Sequence, residues 1–211
     1  MSRRDDIAMA AMELVAEGGG HALTHRRIDR HLGLPEGTTS NYARTRRDLV
    51  LLVVQRIATI AHLRRPDAPT PRTVAEATGQ LTAAFEDVAA RGVDIRARMA
   101  LSMDYLQDPE IHALLTTDSP VRDTVLSQAR QLLAGLGVPD VEARAIDLIG
   151  IMNGLFYDRL IGNGVRGTPV DAAAVLTAWL TGVGARTGPP TRSGPDRLNL
   201  YGVRDGSAEL G

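Results

Sequence analysis

The sequence predicts an all-α protein, with a small basic helical module at its start and a mildly acidic helical body behind it. Three observations lead there. Apolar residues recur with helical periodicity through most of the chain, no segment shows the sustained alternation of a strand, and Gly- and Pro-marked breaks separate the periodic stretches. At 211 residues, 44% hydrophobic and 23% charged, the chain can bury a substantial core in one or two domains.

Ile7, Ala11, Leu14 and Val15 fall at i, i+4, i+7 and i+8, the stripe of an amphipathic first helix that Gly18-Gly19-Gly20 stops. Thr24 is placed to cap a second, short helix over about 25–32 carrying Ile28 and Leu32, and Gly33 stands where a helix ends left-handed. Pro35 suits a helix start, so a third helix is predicted over about 36–42. A fourth, over 46–64, puts Leu49, Leu52, Val53, Ile57 and Ile60 on one face. Arg65 to Pro71 contains Pro66, Pro69 and Pro71 and reads as a linker. Further helices are predicted over about 72–91, 94–106, 109–116, 119–136, 140–162 and 169–186, parted at Gly92, Asp108-Pro109, Ser119-Pro120, Gly137-Val138-Pro139 and Gly162-Asn163-Gly164. Residues 187–211, rich in Gly, Pro and Arg, are expected to form a disordered tail.

Composition excludes several chemistries. Without cysteine there is no disulfide scaffold, thiolate metal site or thiol nucleophile. All 24 basic residues are arginine, so a Walker-type phosphate loop and Schiff-base catalysis are excluded with lysine. His21 and His25 are four apart, but Gly19-Gly20 and the Thr24 cap argue against one continuous helix, and no Glu completes a metal motif. Neither a metal nor a cofactor is predicted, and an enzyme is not expected. The start shows no signal-peptide form, and the apolar stretch around Ile146 to Ile161 is interrupted by Asp147, Asp158 and Arg159, so a cytoplasmic protein without a membrane span is expected.

The net charge of −1 hides an asymmetry. Residues 21–56 hold seven arginines against three acids, a local +4, whereas residues 57–211 hold fifteen against eighteen, a local −3. The basic stretch contains two short predicted helices around the tight turn at Gly33-Leu34, the pattern of a helix-turn-helix whose second helix enters a DNA major groove. That second helix, Glu36 to Tyr42, is small and polar, so its use is external: hydroxyls and an amide can bond phosphates or base edges, and Gly37 permits close backbone approach. Arg44, Arg46 and Arg47 follow, where helix-start N–H groups also favour phosphate.

These residues resemble the N-terminal DNA-binding domain of tetracycline-repressor (TetR) family regulators. The resemblance runs over residues 4–57: the Ile7-to-Glu17 helix, Gly20 before Leu23-Thr24, Arg27-Ile28-Asp29, Leu32-Gly33-Leu34-Pro35-Glu36-Gly37-Thr38, and Arg46-Arg47-Asp48-Leu49. The sequence departs from the family at Thr39-Ser40-Asn41-Tyr42-Ala43, where an apolar residue, aromatics and a Phe are usual, and at Arg46, where Lys is common. The resemblance implies base or backbone contacts from Thr38, Thr39, Asn41 and Tyr42, and phosphate contacts from Thr24, Arg26, Tyr42 and Arg46; Gly37 and Arg44 complete the DNA-binding set. It also implies a three-helix N-terminal domain over 1–47 and a C-terminal helical ligand-binding and dimerisation domain over 48–186.

Within the body, Leu148, Met152, Leu155, Trp179 and Val183 supply apolar surface for a homodimer interface between copies of the last two helices, and Gly150-x-x-x-Gly154 allows close helix approach. Phe85, Met99, Met103, Asp104, Met152, Asn153, Phe156 and Tyr157 are candidates for a pocket taking a small-molecule effector, expected to be largely apolar. Arg159 is a further polar marker there. The expected function is a ligand-responsive, homodimeric repressor that binds double-stranded operator DNA and leaves it when the effector binds. A small-molecule sensor or scaffold that has lost sequence-specific DNA binding is the alternative.

Overall fold

Helices begin and end where local chemistry supplies the missing backbone partners. The structure, a computed structural model, describes residues 2–62 and 69–188, the side chains of 61 and 62 excepted. The linker residues 65–68 and the expected tail from 189 onward lie outside the described residues.

Helix α1 (Arg3–Gly18) opens on a reciprocal box between Ser2 and Asp5 and closes at Gly19 with φ 72°. α2 (His25–His31) is capped by Thr24, whose hydroxyl accepts from the Arg27 N–H at 3.3 Å. At its end Gly33, φ 63°, donates to Arg30 O and Leu34 donates to Asp29 O at 2.8 Å, the paired closure that a left-handed glycine makes possible. α3 (Arg46–His62) starts on a Thr45/Asp48 box. The body follows as α4 (Val74–Arg91), α5 (Val93–Asp104), α6 (Pro109–Leu115), α7 (Pro120–Gly135), α8 (Val141–Leu160) and α9 (Ala172–Gly182). Asp108 and Asp171 cap α6 and α9, Pro109 and Pro120 occupy first helical positions, and Gly92 at φ 59° separates α4 from α5. Among the described residues there is no strand, so the fold is all-α as the sequence predicts.

One element departs from expectation. The predicted 36–42 helix is a turn followed by a single 3-10 turn, Thr39–Asn41. Gly37 lies at φ 90°, outside helical space, and the N–H groups of Gly37 and Thr39 bond sideways to Asp29 instead of back along a helix.

Two apolar clusters form the interior. In the first, Ile7, Ala11, Met12 and Val15 of α1 meet Ile28 of α2, Leu49, Val50, Val53 and Ile57 of α3, Ala97 and Leu101 of α5, and Ile111 and Leu115 of α6. The second joins Val74, Ala77 and Phe85 of α4, Leu133 of α7, Ala145, Leu148, Leu155 and Phe156 of α8, and Leu176 and Leu180 of α9. The N-terminal module therefore shares its core with α5 and α6, while Ile95 and Met99 on another side of α5 pack on the second cluster. Displacing α5 disturbs both cores, since close-packed interiors do not deform freely.

Candidate functional site

The segment between α2 and α3 contains too few apolar side chains to hold itself in place. Two groups on α2 hold it. Asp29, 2% exposed, accepts from Gly37 N and Thr39 N at 2.8 Å each and from the Thr39 hydroxyl at 2.6 Å. Burial raises the Asp29 pKa, but the Thr39 hydroxyl, Thr39 N–H and Gly37 N–H outweigh it and hold the carboxyl below its ordinary value. At the far end of the segment the His25 Nε2–H donates to Ala43 O at 2.7 Å. The position that the resemblance makes apolar is thus a threonine bonded to a buried carboxylate, and the carbonyl of the alanine replacing Phe is held by an imidazole. Sequence reasoning missed both: Asp29 and His25 lie i, i+4 on one helix, and that spacing was their only signal.

Thr39 was expected to touch DNA. It is 0% exposed with its hydroxyl turned to Asp29, so that expectation is corrected: Thr39 positions the turn. Thr38 is half-buried and its hydroxyl donates to Pro35 O at 2.7 Å. Thr24, Gly37, Asn41, Tyr42 and Arg44 are exposed, as is Ser40. Arg26 is exposed with Glu36 at 3.6 Å. Of the Arg46 guanidinium, Nη2 donates to Gly20 O at 2.9 Å, Nη1 to Leu23 O at 3.4 Å and Nε to the Tyr105 hydroxyl at 3.0 Å. Arg47 pairs with Asp108 and Glu110. These bonds tie the start of α3 to the corner between α5 and α6.

The expected effector residues split. Phe85 and Phe156 are buried with ring centroids 5.0 Å apart, and Met99 and Met152 pack on the same cluster. Asn153 Oδ1 accepts from Arg98 Nη2 at 2.8 Å. Arg159 donates to Glu86 at 2.6 Å and lies 5.4 Å from the centroid of the Phe85 ring. These residues form one seam between α4, α5 and α8. Three others do not join it. Met103 is 74% and Tyr157 56% exposed, and Asp104 sits against Gly20, where a Cβ would meet its Oδ2 at 1.8 Å. The cause is register: Met103 and Asp104 lie at the end of α5, and Tyr157 on the outer side of α8. A surface cleft lined by Thr70, Pro71, Arg72, Glu76, Gln80 and Arg186 shares no residue with the seam.

The residues expected at the interface divide by burial in the same way. Leu148 and Leu155 are buried in their own chain, and Met152, Trp179 and Val183 pack half-buried against the same cluster. The outward face of α8 carries Ile146, Gly150, Gly154 and Tyr157, with Ile161 at its C-cap and open space above both glycines.

Residues 72–186 match the family described as Tetracyclin repressor-like, C-terminal domain. None of the curated proteins matches the sequence. Among solved structures, a transcriptional regulator from Rhodococcus sp. Rha1 superposes with a TM-score of 0.70 at 18% identity, covering 89% of this chain and 100% of that one. A TetR-like transcriptional regulator from Rhodococcus sp. RHA1 does so with a TM-score of 0.59 at 19% identity, covering 87% and 99%. The likeness extends through the N-terminal module as well as the body. The family match spans more than half of its length, and the chain belongs to the tetracycline-repressor-like (TetR) family, a family of transcriptional regulators rather than of enzymes.

Proposed function

We propose that the chain is a homodimeric, effector-responsive transcriptional repressor that binds operator DNA through the segment between α2 and α3. The observation that carries this reading is the strapped turn. A buried carboxylate and an imidazole fix the backbone of residues 37–43, so that Ser40, Asn41, Tyr42 and Arg44 project from a rigid base, flanked by Arg26 and Thr24. Exposed small polar groups on a fixed backbone suit base-edge and phosphate contacts, since ordering them on DNA then has a lower entropic cost.

The division of labour proposed is DNA contact by residues 1–47, and effector binding and dimerisation by 48–186. The outward face of α8, with Ile146, Tyr157 and Ile161 around two open glycines, suits a helix from a second copy. Two-fold pairing presents two turns to two half-sites. Effector binding in the body would act through α5, which packs on both cores and whose end touches Gly20 and Arg46, to change the spacing of the two turns. Among the described residues no helix is long and apolar enough to cross a membrane, in keeping with a cytoplasmic site of action.

Fluorescence polarisation on a labelled duplex from the DNA upstream of the chain's own gene tests the reading. Asn41→Ala and Tyr42→Ala should each weaken specific binding by about 1–3 kcal/mol with far-UV circular dichroism unchanged. Equal affinity of the wild type for this duplex and for an unrelated one would instead favour a sensor without sequence-specific DNA binding.

A further inference from the structure

A guanidinium inside an apolar seam is costly to bury unless a partner answers its charge. Arg98 of α5 reaches across to α8, where its Nη2 bond to Asn153 Oδ1 brings an acceptor but no charge. Asp94, one turn earlier on α5, attracts it, yet burial outweighs that attraction and lowers the Arg98 pKa from its ordinary value. Six residues along α8 from Asn153, about 9 Å by the helical rise, the Arg159 guanidinium lies near the Phe85 ring with Nη2 on Glu86. Its Nε–H is buried with no hydrogen-bond partner among the described residues, and so is the hydroxyl of Thr82, one turn before Phe85 and Glu86 on α4. A buried donor left in this state is destabilising by about 1–3 kcal/mol. Phe85 pairs with Phe156 beside Arg159, and the flexible thioethers of Met99 and Met152 pack on the same cluster.

We propose that this seam binds an effector made of a carboxylate on a flat or chain-like apolar body, with Arg98 as the anion's partner. The proposal rests on reading the body as an effector-binding domain and replaces the largely apolar ligand expected from sequence with an amphipathic one. A carboxylate exchanges the neutral bond to Asn153 for the charge-assisted, two-pronged pairing that guanidinium geometry favours, and it adds to the attraction that Asp94 already exerts on Arg98. Its apolar body takes the space that the thioethers vacate beside the aromatic pair, and Arg159 Nε–H and the Thr82 hydroxyl are donors for any second oxygen. Glu86, half-exposed at the rim, keeps Arg159 oriented without competing for Arg98. Occupancy acts directly on α5, the helix whose far end touches the DNA-binding module.

The test uses the full chain and follows the fluorescence of Trp179, its sole tryptophan. Benzoate, phenylacetate and octanoate are titrated against benzamide, phenylacetamide and octanamide. At least one acid should bind tenfold or more tightly than its amide, Arg98→Gln should abolish the difference, and Arg98→Lys should keep part of it. Asn153→Asp, which places a carboxylate beside Arg98 from within, should raise Tm and weaken the acid at least tenfold; it keeps the test decisive if Arg98→Gln does not fold. Amides binding as well as acids, acids binding Arg98→Gln as well as wild type, or no binding by any of the three acids overturns the proposal. DNA affinity of the ligand-free protein is measured separately, so a failure of the regulator reading shows there and not in the titration.

Discussion

Replacing Asp29 by Asn tests whether the turn proposed to contact DNA is held from α2. The change is isosteric but turns one carboxylate oxygen into an NH2 that must face an N–H or O–H donor. Asp29 now accepts three bonds of 2.6–2.8 Å with only 2% of its surface exposed. At least one buried donor is left unanswered, which is destabilising by about 1–3 kcal/mol, and the remaining bonds fall from charge-assisted to roughly half that strength. The total is about 2–4 kcal/mol, or a Tm lower by about 4–15 °C for a chain of this length. Thr39→Val, which removes only the hydroxyl donor, should lose about 1 kcal/mol. Differential scanning calorimetry reads stability, and fluorescence polarisation at several salt concentrations reads DNA binding. Both variants should bind the operator more weakly with an unchanged salt dependence, because no phosphate contact has been removed. A Tm within about 1 °C of wild type in Asp29→Asn, or a salt slope reduced in Thr39→Val, would refute the argument.

Further outcomes follow from the same geometry. The Asp29 carboxyl is held below the ordinary carboxylate value, so its stabilising effect is present above that ordinary value and is lost as pH falls through the lower folded value; urea midpoints measured between pH 5 and 2 should fall less steeply in Asp29→Asn than in wild type. Arg44→Ala, which removes an exposed cation beside the turn, should reduce the slope of log affinity against log salt by about 0.9 while leaving Tm unchanged. Gly92→Ala forces a side chain into left-handed backbone, with its Cβ 2.8 Å from Leu160 Cδ2 and 3.2 Å from Ala89 O, and should destabilise by about 1–3 kcal/mol in urea unfolding. Ile146→Glu with Tyr157→Glu places charges on the outward face of α8 and should yield a monomer by light scattering, whereas a persisting dimer would place the interface elsewhere.

Local chemistry alone determined most of the helical framework. A cap such as Thr24 or Asp108, a helix-starting proline such as Pro109, and glycines such as Gly33 and Gly92 act within a few residues of themselves, so their effect is readable along the chain. What the sequence could not show depended on distant partners. The helical content of the segment between α2 and α3 is short because Asp29 and His25, on a neighbouring helix, intercept its backbone groups, and polar residues alone do not reveal which neighbour will bond them. On α8 apolar residues occur all round, so periodicity cannot choose between Leu148 and Leu155, which the tertiary structure buries, and Ile146 and Tyr157, which it leaves exposed. Arg98 was invisible for the same reason: only the approach of α8 brings Asn153 to its guanidinium. Elements are set by interactions between residues near in sequence. The direction each face points, and so the chemistry of each site, is set by contacts across the fold, because burial of the most apolar area in one geometry fixes what every remaining polar group can reach.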